Sequence, residues 1–319
     1  MGGDGSGWLW DRQTGGRPRQ RPEGTGRRRG ATFSPDGTRL ATVEDDGTLL
    51  VRDVATLAVT GRFSRPGTAL AAVSFSPDGT RIAAAGSAGA EGADGGEVLL
   101  LDGADLALVQ RLPTGSQPRN PQANATTDNA ALGLAFSPDG TVLAVPLSAG
   151  RVTLWNLADP QAVPRSLEGH GALALDAAFT PDGTMLATAG GDRRVRLWSV
   201  ADGTPLGELE SESAVRAVAF SPDGTVLAAA SQDYLLRLWS MPDRRLLALL
   251  NRHSDELNDV AFDDEGRLIS TGADGSAQVW DLDPDCAVAT LCDRLDPAAL
   301  SDDWRALGPD LGDPPRCPS

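Results

Sequence analysis

The sequence predicts an all-β fold of six small four-stranded sheets stacked radially, preceded by an incomplete extra unit. Three observations predict it. The turn Phe-Ser-Pro-Asp-Gly recurs with its Phe at 33, 75, 136 and 220, and close variants begin at Phe179 and Phe262. Successive Phe spacings are 42, 61, 43, 41 and 42 residues, so one supersecondary unit repeats along the chain. A second anchor follows each Phe by 18 or 19 residues at Arg52, Trp155, Trp198, Trp239 and Trp280, and by 26 at Leu101. Between anchors the chain breaks into short apolar or alternating runs, with no apolar pattern of helical period. Four short strands cannot cover their own apolar faces, so the units must stack on one another.

The elements follow in chain order. Residues 7–20 read as a unit lacking its first two strands, because Trp10 precedes Arg52 by 42 residues, in register with the repeat. The seven Arg of 12–29 read as a solvated loop in preference to a nucleic-acid arm. Full units are expected at about 30–63, 69–112, 131–168, 172–209, 214–250 and 256–282. The fourth shows the logic. Leu173 to Phe179 is an apolar run, Pro181-Asp182-Gly183 supplies turn geometry, and Met185 to Ala189 is a second run. Arg194 to Trp198 alternates with period two, and Asp202-Gly203 turns the chain into a fourth strand from Pro205. Beyond Trp280 the pattern changes. Asp283-Pro284-Asp285 suits a helix start, which predicts a partly helical tail over 283–319. Asp281, Asp283 and Asp285 alternate as in a calcium loop. Cys286 at the sixth position and Cys292 at the twelfth exclude that motif.

Composition narrows the chemistry. The 319 residues carry 28 basic against 44 acidic side chains, a formal charge of −16, and every basic residue is Arg. Without Lys there is no Walker-A phosphate loop. So acidic a chain repels nucleic acid and anionic membranes, and neither is expected as a partner. No apolar run approaches the length of a signal peptide core or a membrane helix, and a cytoplasmic location is expected. Met1-Gly2 with Ser6 fits a myristoylation pattern formally, and a Gly-rich turn explains it better. Cys286, Cys292 and Cys317 are a poor disulfide framework and point to a reducing compartment, with a Cys286–Cys292 pair left open. No cofactor and no metal are expected.

A period near 42 residues, Gly169-His170 before a first strand and Trp closing a third strand together resemble the WD-repeat β-propeller family over roughly residues 7–282. The literal Trp-Asp pair stands at Trp10-Asp11 and Trp280-Asp281, whereas Trp155-Asn156, Trp198-Ser199 and Trp239-Ser240 depart from it. The resemblance implies a buried hydrogen-bonded tetrad twice, as His170, Thr188, Asp192 and Trp198, and as His253, Ser270, Asp274 and Trp280. Both His are thereby structural in preference to catalytic. Fragments remain at Thr42, Asp46 and Asp233. Leu291-Cys292, Trp304 and Cys317-Pro318 resemble the ends of propellers attached to bacterial signal-transduction NTPases. That likeness implies an upstream NTPase or signalling domain, with this chain a separated sensor module or a fragment.

The expected function is a non-catalytic scaffold that binds a protein or peptide. Antiparallel strand order puts the turns between strands two and three on one face with the links between sheets. Both long insertions, 86–96 and 113–129, rise from that face. Asp45, Gln232 and Ala273 before the turn Asp positions lie there too, with Arg216 and Asn258 near first-strand starts. The alternative is a hydrolase or lyase using carboxylates of the central channel, with Asp176 and Asp259 at matching first-strand positions as the acid and base.

Overall fold

The computed structural model describes residues 8–9, 19–20, 28–87, 96–115, 129–159, 161–241, 243–280 and 282. Two short strands, β1 (Trp8–Leu9) and β2 (Arg19–Gln20), pair antiparallel at the N-terminal end. Six sheets follow, each meandering outward in chain order. Sheet one holds β3 (Arg28–Phe33), β4 (Arg39–Glu44), β5 (Thr48–Asp53) and β6 (Val59–Ser64). Sheet two holds β7 (Ala69–Phe75), β8 (Arg81–Ser87), β9 (Gly96–Asp102) and β10 (Leu108–Pro113). Sheet three holds β11 (Ala135–Phe136), β12 (Val142–Pro146), β13 (Arg151–Asn156) and β14 (Arg165–Glu168). In sheet four are β15 (Ala174–Phe179), β16 (Met185–Gly190), β17 (Arg194–Ser199) and β18 (Pro205–Glu210). Sheet five consists of β19 (Val215–Phe220), β20 (Val226–Ser231), β21 (Leu236–Ser240) and β22 (Leu246–Leu250). Sheet six has three strands among the described residues, β23 (Leu257–Phe262), β24 (Leu268–Gly272) and β25 (Ala277–Trp280).

The first strands are the inner ones: β3 packs on β7, β7 on β11, β11 on β15, β15 on β19 and β19 on β23. The molecule is a six-bladed β-propeller, all-β, without a helix among the described residues. The tail 283–319 expected to be helical, most of the incomplete unit 7–20, and the insertion segments 88–95 and 116–128 lie outside the described residues.

The second strands of sheets one to five are buried on both faces, which explains small, continuous apolar runs such as Ile82-Ala83-Ala84-Ala85 and Leu227-Ala228-Ala229-Ala230, whereas β24 of sheet six alternates buried and half-buried residues. In sheets two to five, one face of this strand feeds the junction with the preceding sheet and the other the junction with the next. Ala84 joins the cluster of sheets one and two, while Ala83 and Ala85 join that of sheets two and three. Further clusters fill the junctions three–four, four–five and five–six. None of these five joins sheet six to sheet one.

The recurrent turns hold by one device. The hydroxyl of Ser76 donates to Asp78 Oδ1 at 2.6 Å, and the Thr80 amide donates to the same oxygen at 3.0 Å. Ser137–Asp139, Thr180–Asp182 and Ser221–Asp223 repeat it at 2.6 Å. Gly79 follows at φ 68°, a left-handed conformation that favours glycine. The Ser76 hydroxyl, followed by the Thr80 amide, brings the Asp78 carboxyl down to about 2.

Candidate interaction face

The two tetrads are built from the link before a first strand, the second strand, the turn after it and the end of the third. In sheet four, His170 Nδ1 lies 2.9 Å from Asp192 Oδ1 and Nε2 lies 2.8 Å from Thr188 Oγ1. The Trp198 indole N–H donates to Thr188 Oγ1 at 3.0 Å, and the Gly171 amide donates to Asp192 Oδ2 at 3.0 Å. Burial holds the His170 imidazole below its ordinary value, against the pull of Asp192. A carboxylate can only accept, so Nδ1–H donates to Asp192 and Nε2 accepts the Thr188 hydroxyl proton. Burial works to raise Asp192, but the bonds from His170 and Gly171 outweigh it and the carboxyl is lowered.

Sheet six repeats the arrangement. His253 Nε2 lies 2.8 Å from Ser270 Oγ, Nδ1 lies 3.1 Å from Asp274 Oδ2, and Trp280 Nε1–H donates to Ser270 Oγ at 2.9 Å. Thr188 and Ser270 are fully buried, with each hydroxyl committed to His and Trp. A nucleophile so enclosed reaches no substrate.

Other sheets show what happens when a member is replaced. Val145 stands ten residues before Trp155, where Thr188 stands before Trp198, and the buried Trp155 Nε1 has no hydrogen-bond partner. In sheet five the buried Arg237 takes over, donating to Ser231 Oγ at 2.9 Å and to Asp233 Oδ2 at 2.6 Å. Sequence reasoning missed this network, although its signal was present. Arg two residues and Asp six residues before Trp also occur at Arg196 and Asp192, which pair at 3.3 Å.

On the loop face, three of the five residues expected there meet around Glu256, which sequence reasoning did not single out. Arg216 pairs with Glu256 Oε2 at 2.7 Å, Gln232 Nε2 donates to the same oxygen at 3.3 Å, and the Ala273 amide donates to Glu256 O at 2.7 Å. Asn258 is exposed two residues further on, and Asp45 is half-buried in the turn between β4 and β5.

The roots of the two insertions also meet. The Gly96 amide donates to Asn129 O at 3.0 Å and the Thr114 amide donates to Gly96 O at 3.0 Å. Thr114 Oγ1 lies 2.7 Å from Gly96 O and 2.6 Å from Asn129 O, and the Asn129 amide reaches Gly115 O. Buried Gly96, Thr114 and Asn129, with exposed Gly115, thus form one hydrogen-bonded knot from which both insertions depart.

Asp176 and Asp259 face different conditions. Asp176 Oδ2 accepts the Val218 N–H of the neighbouring inner strand at 3.0 Å, and burial pushes its carboxyl up to about 7. Surrounding protein also raises Asp259, but that residue is exposed on β23, which weakens the shift. Its carboxylate accepts the Val260 amide at 2.8 Å. Among the described residues no group of three or more His, Cys, Asp or Glu is arranged to hold a metal, and no helix is long and apolar enough to cross a membrane.

The family profile "WD domain, G-beta repeat" matches residues 162–199, 203–240 and 244–281. Three stretches of the chain match WD repeats. Each matched WD repeat spans the outer strand of one sheet and three strands of the next, as in β14 with β15, β16 and β17. Among solved structures, a chain from a crystal structure of a mitotic checkpoint complex is similar, with a TM-score of 0.74 and 18% identity. The alignment covers 87% of this chain and 82% of that one. At that identity the likeness speaks for the fold. No curated protein matches in sequence.

Proposed function

We propose that this WD-repeat propeller is a non-catalytic scaffold whose loop face, bearing the insertions 86–96 and 113–129, holds a protein or peptide partner. The observation that carries the reading is the knot of Gly96, Thr114 and Asn129. It roots two independent insertions at one place on a rigid sheet, and loops on a rigid scaffold are where binding residues concentrate. The cluster of Arg216, Gln232 and Glu256 offers charged and amide groups on the same side of the disk. Support for a scaffold over an enzyme comes from the commitments of the polar groups: both tetrad hydroxyls are enclosed, and Asp176 serves the Val218 amide. The pair β1–β2 belongs, in this reading, to an incomplete seventh blade between sheets six and one. A role in bacterial signalling beside an NTPase, within the cytoplasm, rests on the resemblance of the tail.

Shortening 88–95 and 116–128, singly, tests the binding face. Thermal unfolding should stay within about 3 °C of the parent, because loop length costs little thermodynamically. Quantitative affinity capture from the source cell should lose the same partner with both shortened proteins. A capture profile unchanged in both would end the reading.

A further inference from the structure

The outermost strands of the first five sheets, β6, β10, β14, β18 and β22, each pair on one side among the described residues. Such an edge offers unpaired N–H and C=O groups to any extended chain, and charge is the usual guard. Arg62 guards β6, Arg111 guards β10, Arg165 and Glu168 guard β14, and Glu208 and Glu210 guard β18. The fifth edge, β22, reads Leu-Leu-Ala-Leu-Leu and carries no charge. Leu246, Leu247 and Leu249 are 46%, 46% and 51% exposed. Ala248 and Leu250 pack into the junction with sheet six, and a bulge leaves Leu247 without a partner on β21.

Arginines flank this strand. Arg244 and Arg245 precede it, Arg252 follows it, and all three are exposed on a chain of net charge −16. Arg244 donates to Leu206 O, and Arg252 lies over the Trp280 ring with 5.1 Å to its centroid. Both guanidinium groups are therefore held on the protein surface near the two ends of the edge.

We propose that the open edge of β22 receives an extended apolar segment of a partner protein, flanked by acidic residues, as a fifth strand of sheet five. Main-chain hydrogen bonds along the edge supply affinity. Leu246 and Leu249, which share one face through their register with Trp239 and Arg237, offer an exposed apolar surface to the segment's side chains on that face. The five residues span roughly 17 Å, and the arginines at the two ends select carboxylates beyond them. A second copy of this chain fits less well. The run is a palindrome about Ala248, so antiparallel pairing would face Leu with Leu. It would also set Arg244 opposite Arg252 twice and join two chains of charge −16. Like charges directly opposite one another oppose such pairing.

The probe is a labelled nonapeptide, Asp-Asp-Val-Leu-Val-Leu-Val-Asp-Asp, followed by fluorescence anisotropy on the full chain. The comparison peptide carries Lys at its four end positions. The acidic peptide should bind at least about tenfold more tightly, and more weakly as salt rises. Leu247→Lys and Leu249→Lys should each weaken it about tenfold with unchanged thermal unfolding, while Val163→Lys, at an exposed apolar residue outside this strand, should not. Absence of saturable binding, equal binding of the two peptides, or binding unaffected by both Leu substitutions would overturn the proposal. So would a dimer in sedimentation velocity that Leu249→Lys disperses, since that outcome gives the edge to a second copy.

Discussion

At Gly190, a β-carbon would collide with both His170 Nδ1 and Asp192 Oδ1, and Gly272 holds the matching place beside His253 and Asp274. The glycine is there for space, and it makes the tetrad a five-residue device. Trp198→Ala and Trp280→Ala remove a large buried ring and leave a hydroxyl without its donor, so each is expected to cost ~3–5 kcal/mol. His170→Ala should cost ~1–3 kcal/mol, and Gly190→Ala, by forcing the pair apart, a similar ~1–3 kcal/mol. Urea unfolding measures all four, and parental stability in the Trp variants would refute the role of the tetrads. Asp176 gives a pH prediction. Its value of about 7 lies above the ordinary 3.8, so its contribution to folding is intact below about pH 4 and is lost as pH rises through 7. Asp176→Asn, which keeps an oxygen for the Val218 amide, should match the parent at pH 4 and exceed it by about 1–3 kcal/mol at pH 8. Unfolding curves at the two pH values check this; a variant weaker at both would mean that the ionised carboxylate is what the Val218 amide requires. The turn carboxylates act with the opposite sign: Asp78, at about 2, supports folding above 3.8 and loses that support as pH falls through 2.

At the scale of elements, most of the fold was legible because turn, strand and anchor recur at fixed offsets. The unit expected from 172 to 209 is seen as strands from Ala174 to Glu210. Local chemistry is what made it legible: Pro and Gly fix the turn, and period two fixes which side chains go inside. The tetrads were expected from the family resemblance alone, which put Asp six and Ser or Thr ten residues before Trp. What escaped were contacts made across register. Nothing local to Glu256 says that Arg216, forty residues away, will reach it, and nothing in Asn129 says that it closes a knot with Gly96. The Asp176–Val218 bond likewise crosses from one inner strand to the next, a pairing that appears only when the sheets are stacked. The lack of charge in β22 could be read in sequence only after the strand was known to be an edge.

The whole molecule is held by junctions between sheets, and they are not distributed evenly. Sheets two to five each have a core cluster on both sides, whereas sheets one and six each share in one of the five. Opening free energy should follow that difference. Amides of β20 are therefore expected to exchange at least about tenfold more slowly than those of β24, a gap of ~1.4 kcal/mol. Hydrogen exchange resolved by strand measures it, and equal protection would show that sheet six is covered on its far side as firmly as on its near one. The offset between repeat and sheet carries a further consequence, for how such a gene can change length. A stretch such as 203–240 begins with the outer strand of sheet four and ends with the third strand of sheet five. Excising it would deliver β22 to the edge of β17, so sheet four would be finished by a strand that now belongs to sheet five. No sheet would be left torn. Loss or duplication of one genetic repeat changes the number of sectors while every surviving seam stays continuous, so ring size is open to selection without a broken intermediate.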